Sequence, residues 1–215
     1  MVDPGFIGRR SAVVALRDGT PVLIRPIVAE DKERLRDGFA RLSPLSRYRR
    51  FMSPIDELTP DMLRHFTEVD YVDHFAYVAI LAEEPGQPGI GVARYIRLPE
   101  DPTVAEAAVT VVDEYQGRGV GTLLLEALGA VALQNGIVRF RGYAVDDNRP
   151  MLDLMTQMGA DVEHDSPGVH RIEVDLPRQA RGLKRTPLYR VFRAMARGRR
   201  PLPIRFRELW KRSSP

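Results

Sequence analysis

The 215-residue sequence contains no cysteine. That excludes disulfides, thiolate zinc sites and a cysteine nucleophile, and it fits a reducing, cytoplasmic setting. Histidine is scarce, and His65, His74, His164 and His170 fall at no metal-ligand spacing; no metal is expected. No apolar run approaches the ~20 residues of a membrane span. Residues 1–10 lack the apolar stretch of a secretory signal. Acid is nearly missing from one end: residues 177–215 hold thirteen Lys/Arg and one acid, Glu208. Residues 1–176 hold 19 basic and 28 acidic side chains. The formal charge of +3 therefore conceals an acidic body of net −9 and a basic tail of net +12.

What is present is a chain that is 44% hydrophobic, enough for one domain with a real core. Alternating apolar residues around Asp18-Gly19 predict a hairpin over residues 11–26. Leu35, Phe39 and Leu42 recur at helical spacing and predict a surface helix over 29–42. A short helix is expected over 44–51. Thr59-Pro60 marks a helix start, running to about Val69. Strands are predicted over 74–81, 90–98 and 104–112, with turns at 83–89 and 99–102. An apolar helix follows over 117–134, stopped by Asn135-Gly136. A strand over 137–145, a helix over 149–158 and a closing strand pair at 162–163 and 169–174 complete the domain, which is bounded at residues 11–176.

The stretch that organises this pattern is Val109-Thr110-Val111-Val112-Asp113-Glu114-Tyr115-Gln116-Gly117-Arg118-Gly119-Val120-Gly121-Thr122. A β-branched strand enters a glycine loop, and a helix leaves it. Such a junction presents unpaired amides and the positive end of a helix dipole, both of which favour a phosphate. No lysine stands in or near the loop, so it is not a P-loop. The glycine spacing does not fit the dinucleotide fingerprint. The glycines alone leave two readings open: an anion site for a phosphorylated cofactor, or a glycine-rich helix start with no ligand.

The full string Gln116-x-x-Gly119-x-Gly121 resembles the acyl-CoA pyrophosphate loop of the GNAT N-acetyltransferase superfamily. The resemblance spans roughly residues 11–176. It is closest to the acetyltransferase domain of bacterial Pat-type protein lysine acetyltransferases. It is carried by residues 18–26, by Arg41-Leu42-Ser43-Pro44-x-Ser46-Arg47-Tyr48, by Gly91-Val92-Ala93-Arg94-Tyr95 and by Asp147-Asn148-Arg149-Pro150-Met151.

The resemblance implies an α/β (α+β) GNAT fold. Its central sheet would be mixed, mostly antiparallel and splayed between strands four and five, with helices on its faces. It implies acetyl-CoA as cosubstrate, held by Val111, Val112, Asp113, Gln116, Gly117, Arg118, Gly119, Val120, Gly121, Thr122, Asn148 and Met151. Main-chain groups of Val111 and Val112 would serve the pantetheine arm and the oxyanion. Ala105-Glu106-Ala107-Ala108 matches the Pat-type motif whose glutamate is the general base, so Glu106 is the candidate catalytic residue. A lysine amine has a pKa near 10.4, and reaching its neutral form at pH 7 costs about 4–5 kcal/mol; a carboxylate beside the thioester answers that need. Asn148 also reads as a helix N-cap, and both roles can hold.

Many family members place a tyrosine seven residues after that asparagine. Met155 stands there in this sequence, as it does not in those enzymes but in keeping with Pat-type ones, and Tyr143 and Tyr115 are the alternative proton donors. The acceptor is expected to be a protein lysine, or else a small amine; a non-catalytic acyl-CoA-binding module localised by its tail is the third reading. With roughly ten residues before the first strand, neither the cyclic-nucleotide nor the synthetase-like domain of some Pat-type chains is expected, and regulation is expected through the tail or another route. In that Pro-interrupted tail, Leu188, Val191, Phe192 and Met195 share one helical face among arginines. Such a segment can meet an anionic membrane, nucleic acid or the acidic domain itself.

Overall fold

The computed structural model describes residues 3–16 and 18–176. The elements run α1 (Pro4–Arg9), β1 (Ala12–Ala15), β2 (Pro21–Pro26), α2 (Lys32–Ala40), α3 (Pro44–Phe51), α4 (Pro60–Thr67), β3 (His74–Leu81), β4 (Gly89–Leu98), β5 (Asp101–Val111), α5 (Val120–Gln134), β6 (Arg139–Val145), α6 (Arg149–Gln157), β7 (Asp161–Ser166) and β8 (Val169–Asp175). The expectations for the tail lie outside the described residues.

Among the described residues the strands form one eight-stranded sheet, in the order β1-β2-β3-β4-β5-β6-β8-β7. Every pairing is antiparallel except β5 with β6. The mixed, mostly antiparallel sheet with one splayed junction is therefore present. Counted along this chain the splay falls between the fifth and sixth strands, because the N-terminal hairpin contributes two.

Local chemistry explains most boundaries. Ser43 and Thr59 cap α3 and α4: each hydroxyl accepts from an amide three residues on, at 3.2 Å, and a proline occupies the first helical position. The same device starts α1, which the sequence reading did not anticipate: Asp3 accepts from the Gly5 amide at 2.8 Å ahead of Pro4. Three other boundaries shift. Residues 29–31 form a 3-10 turn before α2. Strand β5 begins at Asp101, inside the expected turn. Helix α5 begins at Val120 rather than Gly117, because Gly117 and Gly119 adopt φ of 70° and 91°, which no helix admits.

The core sits between the sheet and α5. Leu124 and Leu128 are fully buried with Phe75, Tyr77 and Tyr95. Burying each leucine contributes roughly 1.5–3 kcal/mol. Helices α2 and α4 cover the opposite face, with Phe39 and Leu63 buried. At the turn into that layer Asp31 is 1% exposed and accepts both guanidinium nitrogens of Arg25, at 2.6 and 2.7 Å, and the Val28 amide at 2.9 Å. Burial pushes its carboxyl up; the Arg25 fork, the Val28 amide and Arg34 outweigh that and hold it below the usual range.

Candidate active site

Strands β5 and β6 pair through only three positions: Val104 with Arg139, Ala105 with Phe140 and Glu106 with Arg141. Beyond Glu106 they part. Strand β5 continues to pair with β4 as far as Val111 opposite Gly91, while β6 continues with β8 as far as Val145 opposite Val169. At the parting point Gly142 lies so close that a Cβ there would meet the Ala107 carbonyl oxygen at 3.1 Å. The result is a wedge whose apex holds Glu106.

Pairing with β4 fixes which backbone groups face the wedge. The Val112 amide donates to the Ile90 carbonyl at 3.0 Å. In an antiparallel pair, alternate residues bond the same neighbour. Thr110 and Ala108 therefore face β4 as Val112 does, and the main-chain groups of Val111, Val109 and Ala107 face the gap. The Val112 amide is committed to the sheet and its side chain is 4% exposed.

The loop after β5 supplies the other wall. No residue among those described accepts from the amides of Gly117 to Thr122, and the N-cap of α5, Gly119, offers no side-chain cap. Six consecutive donors at the positive end of a 15-residue helix form an anion cradle. Two other predicted ligands also make bonds within the chain. Gln116 donates to the Val111 carbonyl at 3.1 Å, to Asp113 Oδ1 at 3.1 Å and to Ser46 Oγ at 3.3 Å. Asp113 accepts from the Ser43 amide at 3.2 Å. Burial raises the Asp113 carboxyl, but hydrogen bonds from Ser43 and Ser46 hold it below its ordinary value. Both side chains shape the loop and bind it to α3. Arg118 leans over the Tyr115 ring at 4.8 Å and reaches Asp18 at 3.3 Å.

Helix α3 roofs the wedge and touches both arms. Ser43 and Ser46 hold the β5 side. Arg49 holds the β6 side, donating to Asp147 Oδ1 at 3.2 Å and to the Asp147 carbonyl at 2.7 Å. Beneath it lies a cleft of about 310 Å³. Glu106, Tyr143, Asn148, Met151 and Met155 all line it. Asn148 stands at the N-cap of α6, but its side chain makes no capping bond. Tyr115 is not among the lining residues. Arg50 also lines the cleft; burial lowers its pKa, and the Glu106 carboxylate opposes that. The sequence reading named no role for Arg49 or Arg50, because adjacent arginines on a short polar helix look like a solvated face.

An open wedge in a mixed sheet, with an amide cradle at the head of the central helix, defines an anion-cradling α/β class distinct from doubly wound nucleotide-binding sheets. The chain belongs to the GNAT acetyltransferase family: the family model described as Acetyltransferase (GNAT) family matches residues 43–160. It is 38% identical over 164 residues to Acetyltransferase Pat of Mycolicibacterium smegmatis, across 76% of this chain and 48% of that protein. It is 37% identical over 166 residues to Acetyltransferase PA5475 of Pseudomonas aeruginosa, across 74% of this chain and 88% of that one. The crystal structure of the GNAT domain of S. lividans PAT superposes with a TM-score of 0.73 at 33% identity, covering 82% of this chain and all of that one. The chain thus spans about half the length of the Mycolicibacterium relative.

Proposed function

We propose that this protein transfers an acetyl group from acetyl-CoA to an amine, with a protein lysine as acceptor and Glu106 as general base. The observation that carries the reading is the position of Glu106: it occupies the last paired register of the only parallel strand pair among the described residues, and it lines the cleft beneath α3.

The amides of Gly117, Arg118, Gly119, Val120, Gly121 and Thr122 hold the pyrophosphate. The pantetheine arm lies in the wedge, where it hydrogen-bonds the unpaired groups of β5 and the side chain of Asn148, beside Met151. The thioester carbonyl then meets a β5 amide facing the gap. Glu106 takes a proton from the incoming ammonium, directly or through one water, and the amine attacks the carbonyl carbon. The carbonyl oxygen gains charge and the preorganised amide stabilises it. Collapse expels the CoA thiolate, and the nitrogen gives up its second proton, which replaces the one the thiolate takes up, leaving a neutral amide and CoA thiol. Tyr143, at the cleft wall, is the proton donor to that thiolate in preference to Tyr115, which is turned away under Arg118.

The acceptor assignment rests on the relatives named Pat and on charge. The acidic 1–176 body attracts cationic substrates such as lysine-bearing proteins. Replacement Glu106→Gln keeps the shape of the side chain and removes the base. Steady-state kinetics on a lysine peptide at pH 7–8 should show kcat/KM reduced about 10²–10⁴-fold, with acetyl-CoA binding by calorimetry retained. Unchanged turnover would remove Glu106 from the mechanism.

A further inference from the structure

Several arginines of the domain pair with carboxylates: Arg25 with Asp31, Arg41 with Glu114, Arg49 with Asp147 and Arg97 with Asp73. Two arginines beside Glu106 do not. Arg94 is 6% exposed. Its guanidinium lies over the Phe66 ring at 4.4 Å and donates from Nη1 to the Phe66 carbonyl at 3.3 Å, with His74 Nε2 at 3.1 Å. Arg50 lies against the Phe51 ring at 4.9 Å. Among the described residues neither forms an ion pair with a carboxylate. A buried cation outside an ion pair is costly: burial and then the charge of Arg50 lower the pKa of Arg94, while the Glu106 carboxylate favours the charged form of Arg50 alone.

Arg50 and Arg94 both line a pocket of about 70 Å³ between the sheet and the helices, walled by Leu35, Phe39, Phe51, Phe66 and Thr110. Asp31 and Arg34 also border it, but the Asp31 oxygens are taken by Arg25 and Arg34. The pocket shares Arg50, Phe51, Ala108 and Thr110 with the cleft that holds Glu106. Register fixes the spacing. Arg94 is opposite Ala108 and Glu106 is opposite Ile96, so Arg94 and Glu106 are diagonal neighbours on one face, with Cα atoms roughly 7–8 Å apart.

We infer that Arg50 and Arg94 form an anion subsite of the acceptor pocket, which receives a carboxylate carried by the acceptor while its amine lies at Glu106. The inference rests on the acetyl-transfer reading and deepens it by giving the acceptor a second charged group. Free lysine carries such a carboxylate at the opposite end of the molecule from its side-chain amine. A protein acceptor meets the same requirement with an acidic side chain beside its lysine. Planar guanidinium forks recognise carboxylates in two-point contacts, and their low-dielectric walls strengthen the attraction.

The test compares acceptors that differ by one carboxylate. One pair is L-lysine and cadaverine. The other is two lysine peptides that differ only in Glu or Gln beside the lysine. With the wild-type protein the carboxylate member of at least one pair should be favoured about ten- to a hundred-fold in kcat/KM, as expected for a charge-assisted contact; which pair responds identifies the source of the carboxylate. Arg50→Met and Arg94→Met should each reduce that preference toward one, mainly through KM of the carboxylate acceptor, and leave acetyl-CoA binding by calorimetry intact. Arg50 is only half-buried, so Arg50→Met carries the test if the Arg94 variant does not fold. Where turnover is too slow to measure, calorimetry with CoA present compares Nε-acetyl-L-lysine with N-acetylcadaverine. Any result in which the carboxylate makes no difference in the wild-type protein, including undetectable binding of both compounds, overturns the inference. Acetyl-CoA binding and turnover of cadaverine would survive that outcome and would keep the acetyl-transfer reading separate from it.

Discussion

Single residues carry more of the stability than the active-site view alone implies. Glu126, in the middle of α5, has a buried Oε2 with no hydrogen-bond partner, and burial raises its pKa to about 7. In the unfolded chain the same carboxyl ionises at an ordinary acidic pKa. Between that value and about 7 the folded state binds more protons than the unfolded state, so stability falls as pH rises through the window. Glu126→Gln should therefore stabilise the protein at pH 8 by about 1–2 kcal/mol and change little at pH 4.5, by urea unfolding; equal effects at both would refute the account. His74 acts in the other direction. Burial, Arg94 and His65 lower its pKa to about 4, so the unfolded chain gains a proton first as pH falls from about 6.5, and stability declines over that window. At Asp31 the carboxylate is the hub of the Arg25 and Arg34 contacts. Asp31→Ala leaves two guanidinium groups without it and should cost about 3–5 kcal/mol in the midpoint-derived unfolding free energy.

At the scale of elements, α3 determines whether the wedge keeps its shape. It is eight residues long, too short to persist alone, so its position depends on the ties from Ser43 and Ser46 to the glycine-loop side and from Arg49 to Asp147. Arg49→Ala should release one end of the roof and raise KM for acetyl-CoA several-fold, with a smaller change in thermal midpoint. A normal KM would mean that the ties to Asp113 and Gln116 suffice. Elements that announce themselves chemically were legible in the sequence: the Asp18-Gly19 hairpin, the Thr59-Pro60 start and the apolar run of α5. Helix α1 was missed although Asp3-Pro4 is the same kind of signal, because only six residues follow it. The wedge itself was not legible from residue types, since it depends on where two strands cease to pair, and the family resemblance supplied it. The Arg50–Arg94 pair was invisible for a related reason: α3 and β4 meet only in the tertiary structure.

At the scale of the whole molecule, the apex of the wedge and the roof of α3 meet at one cleft, and Gln116 ties the glycine loop to that roof through Ser46. The acidic 1–176 body and the basic 177–215 segment are two electrostatic objects in one chain. We propose that the basic segment contacts an anionic membrane or nucleic acid. Removing residues 177–215 should then abolish salt-sensitive binding to anionic vesicles or DNA, measured by co-sedimentation; unchanged binding would dismiss that role.

The central claim is that the amides from Gly117 to Thr122 grip a diphosphate and so park a thioester beside Glu106. A crystal structure of the full chain with acetyl-CoA tests it most directly. The account predicts pyrophosphate oxygens within hydrogen-bonding distance of those amides and the thioester inside the wedge, next to the Glu106 carboxylate. A pyrophosphate bound elsewhere, or a thioester outside the gap between β5 and β6, would contradict it.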